Sequence, residues 1–178
     1  MKLIILDRDG VINFDSDDYI KSTEEWQPIP GSLEAMASLH KAGYLVAVAT
    51  NQSGIARGLF SLAELQAMHQ KMQNLLRQCG GKIDALAYCP HGPNDACECR
   101  KPKPGLLLNI AKQLGISLEN TYFVGDSFKD IEAARAVNAT PILVKTGKGE
   151  RTLAQHPELI HEVSVYNDLQ EFTHALLN

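Results

Sequence analysis

The sequence predicts an α/β fold with a mostly parallel sheet, and three observations predict it. Short apolar runs alternate with longer amphipathic ones along the chain. Such alternation builds βαβ units, whose crossovers leave neighbouring strands parallel. Asp7, Thr50, Cys89 and Asp126 each come just after an apolar run, and in an open parallel sheet the strand C-termini line the rim where ligands bind. The chain has 178 residues, 44% hydrophobic and 21% charged, which suits one globular domain, 1–178, with a sizeable core.

Leu3-Ile4-Ile5-Leu6 reads as the first strand, buried because no polar residue interrupts it. Ser32 to Ala42 reads as a helix with Leu33, Met36, Ala37 and Leu39 near one face and Gly43 as its stop. Leu45 to Ala49 is the second strand. Ser61 to Gln78 opens with Ser61 and Glu64 at capping-box spacing. Its Leu62, Leu65, Met68, Met72, Leu75 and Leu76 form a helical stripe, and the methionines belong to the core. Ala85 to Tyr88 is a third strand. Pro104 to Leu114 is a helix closed by Gly115. Tyr122 to Val124 is the fourth strand. Asp130 to Val137 is a helix with Ile131, Ala134 and Val137 on one face, and Pro141 to Val144 is the fifth strand. After Gly147 a final helix, Leu169 to Leu177, is legible and carries no functional signal.

Charge and hydropathy exclude several classes. The net charge is −4, a poor basis for holding nucleic acid, which needs phosphate-neutralising surface. No apolar run approaches the roughly 20 residues that span a bilayer. The opening MKLIILDRDG is too short and too soon interrupted for a secretory leader. The expectation is a soluble cytoplasmic protein. Three of four cysteines, Cys89, Cys97 and Cys99, fall within eleven residues, and in a cytosolic chain such a cluster points to metal before disulfide.

Four segments carry polar chemistry. Asp7-Arg8-Asp9-Gly10 sets two carboxylates two residues apart where the chain turns, with a glycine to permit close approach. Thr50-Asn51-Gln52-Ser53-Gly54 offers a hydroxyl and small-residue N–H groups able to cradle phosphate oxygens. Arg100-Lys101-Pro102-Lys103 gathers three cations ahead of a helix, and Gly125-Asp126-Ser127-Phe128-Lys129-Asp130 places two acids at a helix start. Each also has an ordinary reading: an acidic turn, a Ser/Gly turn, a basic loop, a helix-capping aspartate. Cys89, His91, Cys97 and Cys99 spell C-x-H-x5-C-x-C, a donor set suited to tetrahedral Zn²⁺ in a closed structural site. The loop 89–99 has few apolar residues, and a metal would order it and the cations behind it.

Taken together and in order, these segments resemble the haloacid dehalogenase-like phosphohydrolases. DRDGV matches the family's DxDG motif, Thr50 its second motif, Lys101 its third and GDSFKD its GDxxxD fourth. The resemblance implies a Rossmann-like three-layer sandwich and a phosphatase that works through an aspartyl-phosphate. Asp7 would be the nucleophile and Asp9 the general acid and base. Mg²⁺ would be held by the Asp7 side chain, the Asp9 carbonyl and Asp126, with Asp130 behind them orienting the metal or Lys101. Thr50 and Lys101 would hold phosphoryl oxygens; Lys103 fits the third motif less well.

A zinc loop between the second and third motifs marks the branch that hydrolyses histidinol phosphate or heptose 1,7-bisphosphates. TNQSGIARG and CRKPKPG look closest to the heptose enzymes, which implies a small phosphorylated sugar as partner and a place in lipopolysaccharide precursor synthesis. No insertion is long enough for a large cap domain. Asp15-Ser16-Asp17-Asp18-Tyr19 would wall an open site, with Asp15, Asp18 and Tyr19 on sugar hydroxyls. Asn51, Gln52 and Ser53 would line the phosphate loop. Arg100 would bind substrate, its planar fork suiting the distal phosphate. A monomer is expected.

Two rivals come from other classes. A receiver domain also phosphorylates an aspartate, but its nucleophile lies on a middle strand. A nucleic-acid 3′-phosphatase shares DxDG but needs basic, aromatic-rich surface. Within the enzyme class the alternative substrate is histidinol phosphate. His40, His69, His156, His161 and His174 read as surface residues, Cys79 as a small apolar residue and Trp26 as packing.

Overall fold

The computed structural model describes residues 2–178. In chain order the elements are β1 (Lys2–Leu6), α1 (Ser32–Lys41), β2 (Tyr44–Asn51), α2 (Leu62–Gln78), β3 (Ala85–Cys89), α3 (Gly105–Leu114) and β4 (Tyr122–Gly125). Then follow α4 (Phe128–Arg135), β5 (Thr140–Val144), α5 (Gly149–Gln155), α6 (Leu159–Glu162), β6 (Ser164–Tyr166) and α7 (Leu169–Leu177). One six-stranded sheet runs β3-β2-β1-β4-β5-β6 with every pair parallel. The expected α/β sandwich is therefore present, and its sheet is wholly rather than mostly parallel.

The period-two alternation of a strand makes three layers. Ile4 and Leu6 point into a core with Trp26, Met36, Leu39, Met68, Met72 and Phe172, which belongs to the α1, α2 and α7 side. Leu3 and Ile5 point the other way, onto Leu107 and Ile110 of α3 and Ala133 and Ala134 of α4. Strands buried on both faces need apolar residues at every position, which is why the strand runs do not alternate. Leu39 is fully buried, and its truncation to alanine costs about 2–5 kcal/mol.

Local signals set the helix ends. Ser61 and Glu64 form the expected capping box on α2, with bonds of 3.2 and 2.7 Å. A second box, Ser127 with Asp130, starts α4 two residues before Asp130. Gly115 ends α3 in the left-handed conformation. The tail holds more than its last helix: α5, α6 and β6 precede α7. α5 is a single polar stretch opening on a glycine, and β6 has only three residues, too short for periodicity to register. Residues 7–31, between β1 and α1, run as turns pinned by bridges from Asn13 to Asp9 and Pro28. No cap domain exists among the described residues, and no helix there is long and apolar enough to cross a membrane.

The strand order reverses direction between β1 and β4. A parallel sheet opens a crevice at such a switch, beyond the strand C-termini.

Candidate active site

Asp7 follows β1 and Asp126 follows β4, so the switch brings them side by side. The Asp7 N–H donates to the Val124 carbonyl at 2.9 Å, which ties the turn to β4. Gly10 sits at φ 86°, and a Cβ there would run into the Asp126 carboxylate and the Gly147 backbone. Only glycine lets the two loops come this close. Thr146 Oγ1 donates to the Gly10 carbonyl at 2.6 Å and Thr152 Oγ1 to the Asp126 carbonyl at 2.8 Å, which locks the same junction.

Oxygens of Asp7, Asp126 and Asp130 all lie within 4.8 Å of one another, and all three residues are buried. Lys101 Nζ enters this cluster 3.0 Å from Asp7 Oδ1 and 2.7 Å from Asp130 Oδ1, and also donates to the Ala49 carbonyl at 2.9 Å. Burial, and then the Asp130 charge, push the Asp7 carboxyl well above the usual carboxylate range. The same two causes push Asp126 up to about 7, against the pull of the Lys148 N–H. One ammonium cannot balance three crowded carboxylates. The donor set of hard oxygens therefore fits a divalent cation such as Mg²⁺.

Asp9 is held differently. Its Oδ1 receives Arg8 Nε at 2.9 Å and Asn13 Nδ2 at 2.8 Å, and its Oδ2 receives Gln52 Nε2 at 3.0 Å. Burial alone would raise this carboxyl; the Arg8 charge and the three donors outweigh it and hold it below its ordinary value. Two aspartates two residues apart thus have opposite electrostatics, the pattern by which a site assigns separate roles.

The second-strand loop supports both. Thr50 is buried at the end of β2, and its Oγ1 accepts from Gln52 Nε2 at 3.0 Å. Asn51 brackets the Lys101 backbone, accepting its N–H at 3.0 Å and donating to its carbonyl at 3.1 Å. These residues face a cleft of about 700 Å³.

Of the sequence-derived residues, Asp7, Asp9, Asp15, Tyr19, Thr50, Asn51, Gln52, Ser53, Arg100, Lys101, Asp126 and Asp130 line the cleft. Asp18 does not: it is exposed, and Asp17 faces the cleft in its place. Sequence reasoning missed Lys148 and Arg151. Lys148 donates its N–H to Asp126 Oδ2 at 2.8 Å, and its ammonium lies 3.4 Å from Asp15 Oδ2. Arg151 grips Asp17 with both terminal nitrogens, at 3.2 and 3.1 Å. The signal was available, since TGKGER follows β5 and a strand end is where ligands bind.

His69 is also corrected: it is buried, four residues after Leu65 on the core face of α2, with Nε2 3.2 Å from Arg8 Nη1. Trp26 is fully buried, as read, whereas Cys79 caps α2 in an exposed position.

A second cluster flanks the cleft. Cys89 Sγ lies 3.0 Å from Cys99 Sγ and 3.9 Å from Cys97 Sγ, and His91 Nδ1 lies 3.2 and 3.4 Å from Cys99 and Cys89. All four atoms could ligate one tetrahedral ion. Burial pushes the Cys89 thiol up to about 12, while the main-chain N–H of Arg100 draws Cys97 down to about 7. Three thiols and an imidazole packed this closely fit Zn²⁺, which displaces the thiol protons. Arg100 Nη1 donates to the His91 carbonyl at 3.4 Å, so the cluster and the cleft share a wall.

Comparison with known proteins agrees with this geometry. Residues 98–172 match the family described as HAD-hydrolase-like. A D-glycero-β-D-manno-heptose-1,7-bisphosphate 7-phosphatase of Pseudomonas putida is 58% identical over 178 residues, covering 99% of this chain and 100% of its own. The enzyme of that name from Escherichia coli K12 is 41% identical over 153 residues, 82% of this chain and 80% of its own. The crystal structure of D,D-heptose 1,7-bisphosphate phosphatase from B. bronchiseptica, complexed with magnesium and phosphate, matches with TM-score 0.94 at 51% identity, covering 99% of this chain and 98% of that one.

Proposed function

The chain belongs to the D-glycero-β-D-manno-heptose-1,7-bisphosphate 7-phosphatase family of HAD-like hydrolases, and from that premise we propose that it removes the 7-phosphate of that β-anomer through an aspartyl-phosphate. The observation that carries the reading is the buried Asp7–Lys101 pair set among Asp126 and Asp130. A nucleophile, its cation and a metal seat converge at one switch point. The β-anomer is the substrate for which the relatives are named.

Asp7 Oδ1 is engaged by the Arg8 N–H at 2.7 Å and by Lys101, which leaves Oδ2 to attack phosphorus. As the P–O bond to the sugar breaks, Asp9 gives its proton to the departing C7 oxygen. The entering phosphate dianion and the exclusion of water both favour the protonated form of Asp9 that this step needs. Asp9 then takes a proton from the water that attacks the aspartyl-phosphate, releasing inorganic phosphate and freeing Asp7. Lys101, Thr50 and the Asn51–Ser53 loop hold the phosphoryl oxygens as charge redistributes.

Mg²⁺ would be held by Asp7, Asp126 and the Asp9 carbonyl, and when bound it offsets the repulsion between carboxylates and phosphate and polarises the phosphoryl oxygens. Cys89, His91, Cys97 and Cys99 would hold a structural Zn²⁺ that fixes Arg100 and Lys101. Arg100, Asp15 and Tyr19 face the rest of the sugar bisphosphate. Ligating thiols favour a reducing, cytoplasmic setting.

A phosphate-release panel tests the proposal. It sets both anomers of the heptose 1,7-bisphosphate against histidinol phosphate, fructose 1,6-bisphosphate and a 3′-phosphorylated oligonucleotide. The β-anomer should give the highest kcat/KM; a higher value for histidinol phosphate or the oligonucleotide overturns the assignment.

A further inference from the structure

The Arg8 guanidinium and His69 are buried polar groups that touch neither the phosphate-holding loop nor the metal seat. Arg8 lies between the two catalytic aspartates in sequence, and no part of it reaches solvent. Its main-chain N–H holds Asp7 Oδ1 at 2.7 Å. Its guanidinium meets one oxygen of Asp9 twice, with Nε at 2.9 Å and Nη2 at 2.8 Å from Oδ1. Asn13 donates to that same oxygen at 2.8 Å.

Oδ2 receives Gln52 at 3.0 Å, and the Asp9 side chain, 23% exposed, opens on the cleft. The carboxylate is anchored through one oxygen and available through the other. Behind the guanidinium stands His69, its Nε2 3.2 Å from Arg8 Nη1. Arginine only donates, so this ring nitrogen accepts. His69 belongs to α2, which contributes no residue to the cleft lining.

We propose that His69 is a positioning residue: it fixes the plane of the Arg8 guanidinium, which fixes Asp9 Oδ1, so that Oδ2 exchanges the proton with the sugar oxygen and then with water. The inference rests on the acid–base role given to Asp9. Without an acceptor at Nε2, a buried donor of Arg8 is left unpaired and the fork is free to swing. The phosphate and sugar contacts stay as they were, because His69 touches neither. What changes is the aim of Asp9, and proton transfer in a transition state depends steeply on aim.

Steady-state phosphate release from the heptose bisphosphate with Mg²⁺, paired with thermal midpoints, tests this on His69→Leu, His69→Gln, Arg8→Lys and Asp9→Asn. H69L should lose about 10- to 100-fold in kcat while KM stays within about twofold. H69Q, whose Oε1 can accept from Arg8, should recover most of the wild-type kcat. R8K keeps the charge without the fork and should behave like H69L.

Wild-type kcat in H69L, equal losses in H69L and H69Q, or a raised KM at unchanged kcat overturns the inference. Should H69L fail to fold, R8K and H69Q decide, and wild-type kcat in R8K overturns it. D9N separates the two levels. Full turnover in D9N refutes the role of Asp9 itself, whereas a dead D9N beside a fully active H69L refutes the positioning alone.

Discussion

Asp130 Oδ1 stands 2.7 Å from Lys101 Nζ, both side chains buried. The other oxygen of Asp130 accepts from the main-chain N–H groups of Asp126 and Ser127, each at 3.2 Å, and from Ser127 Oγ at 2.9 Å. One carboxylate therefore closes the capping box of α4, shapes the turn that carries Asp126 and aims the lysine that pairs with Asp7.

Asp130→Asn should expose that dependence. The amide keeps the shape but removes the charge facing Lys101. We expect a loss of about 2 kcal/mol in urea unfolding, because Lys101 keeps Asp7 at 3.0 Å and loses only its charge-assisted bond to Asp130. Turnover should fall with it; wild-type stability and kcat together would refute the coupling.

Asp7→Asn should abolish phosphate release and leave the fold intact. The asparagine oxygen still accepts from the Arg8 N–H that now bonds Asp7 Oδ1, but it cannot form the acyl-phosphate. Circular dichroism and a product assay check both halves.

Dialysis against EDTA should silence the enzyme, and Mg²⁺ should restore it. Asp126 is pushed up to about 7, by burial first and the Asp130 charge next, so below that value a proton competes with the ion for its oxygens. The half-saturating Mg²⁺ concentration should rise as pH falls from about 8 to about 6; a flat response would remove Asp126 from the metal seat.

His69 gives stability a pH dependence of definite sign. Burial first, and the Arg8 charge second, hold the ring down to about 3 from its ordinary 6.5. Between those values the unfolded chain binds a proton that the folded chain refuses. This group's contribution to stability is therefore fully present above about pH 6.5 and is lost as pH drops towards about 3. Urea midpoints for wild type and H69Q across that window measure it, and the variant should show the shallower slope.

Protein prepared without chelator should contain about one zinc per chain. Stripping it should raise hydrogen exchange in residues 89–99 and, through Arg100 and Lys101, lower turnover. Zinc-free protein with an equally protected loop would show that the thiols serve another purpose.

The sheet and the acidic turn at Asp7 were legible because their signals are local. Leu3–Leu6 is an unbroken apolar run ended by Asp7, and Ser61 with Glu64 declares the start of α2 within four residues. The losses have physical causes. Among Asp15, Asp17 and Asp18 no period selects which acid turns inward, because the segment is a run of turns without a helical or strand repeat. Lys148 and Arg151 gain meaning only when β5 is laid beside β4. His69 looks like a surface residue until a tertiary contact pairs it with Arg8, and no spacing rule announces a partner 61 positions away.

The central place of β1 has a consequence for how the protein is made. Ile4 is flanked by Val46 on one side and Tyr122 on the other, and a ribosome delivers that second neighbour long after the first. Until it docks, Asp7 has no tie to Val124 and no Asp126 beside it, so a stalled or truncated nascent chain is inert toward metabolites. Closing so long a loop also slows refolding relative to a helical bundle of equal size.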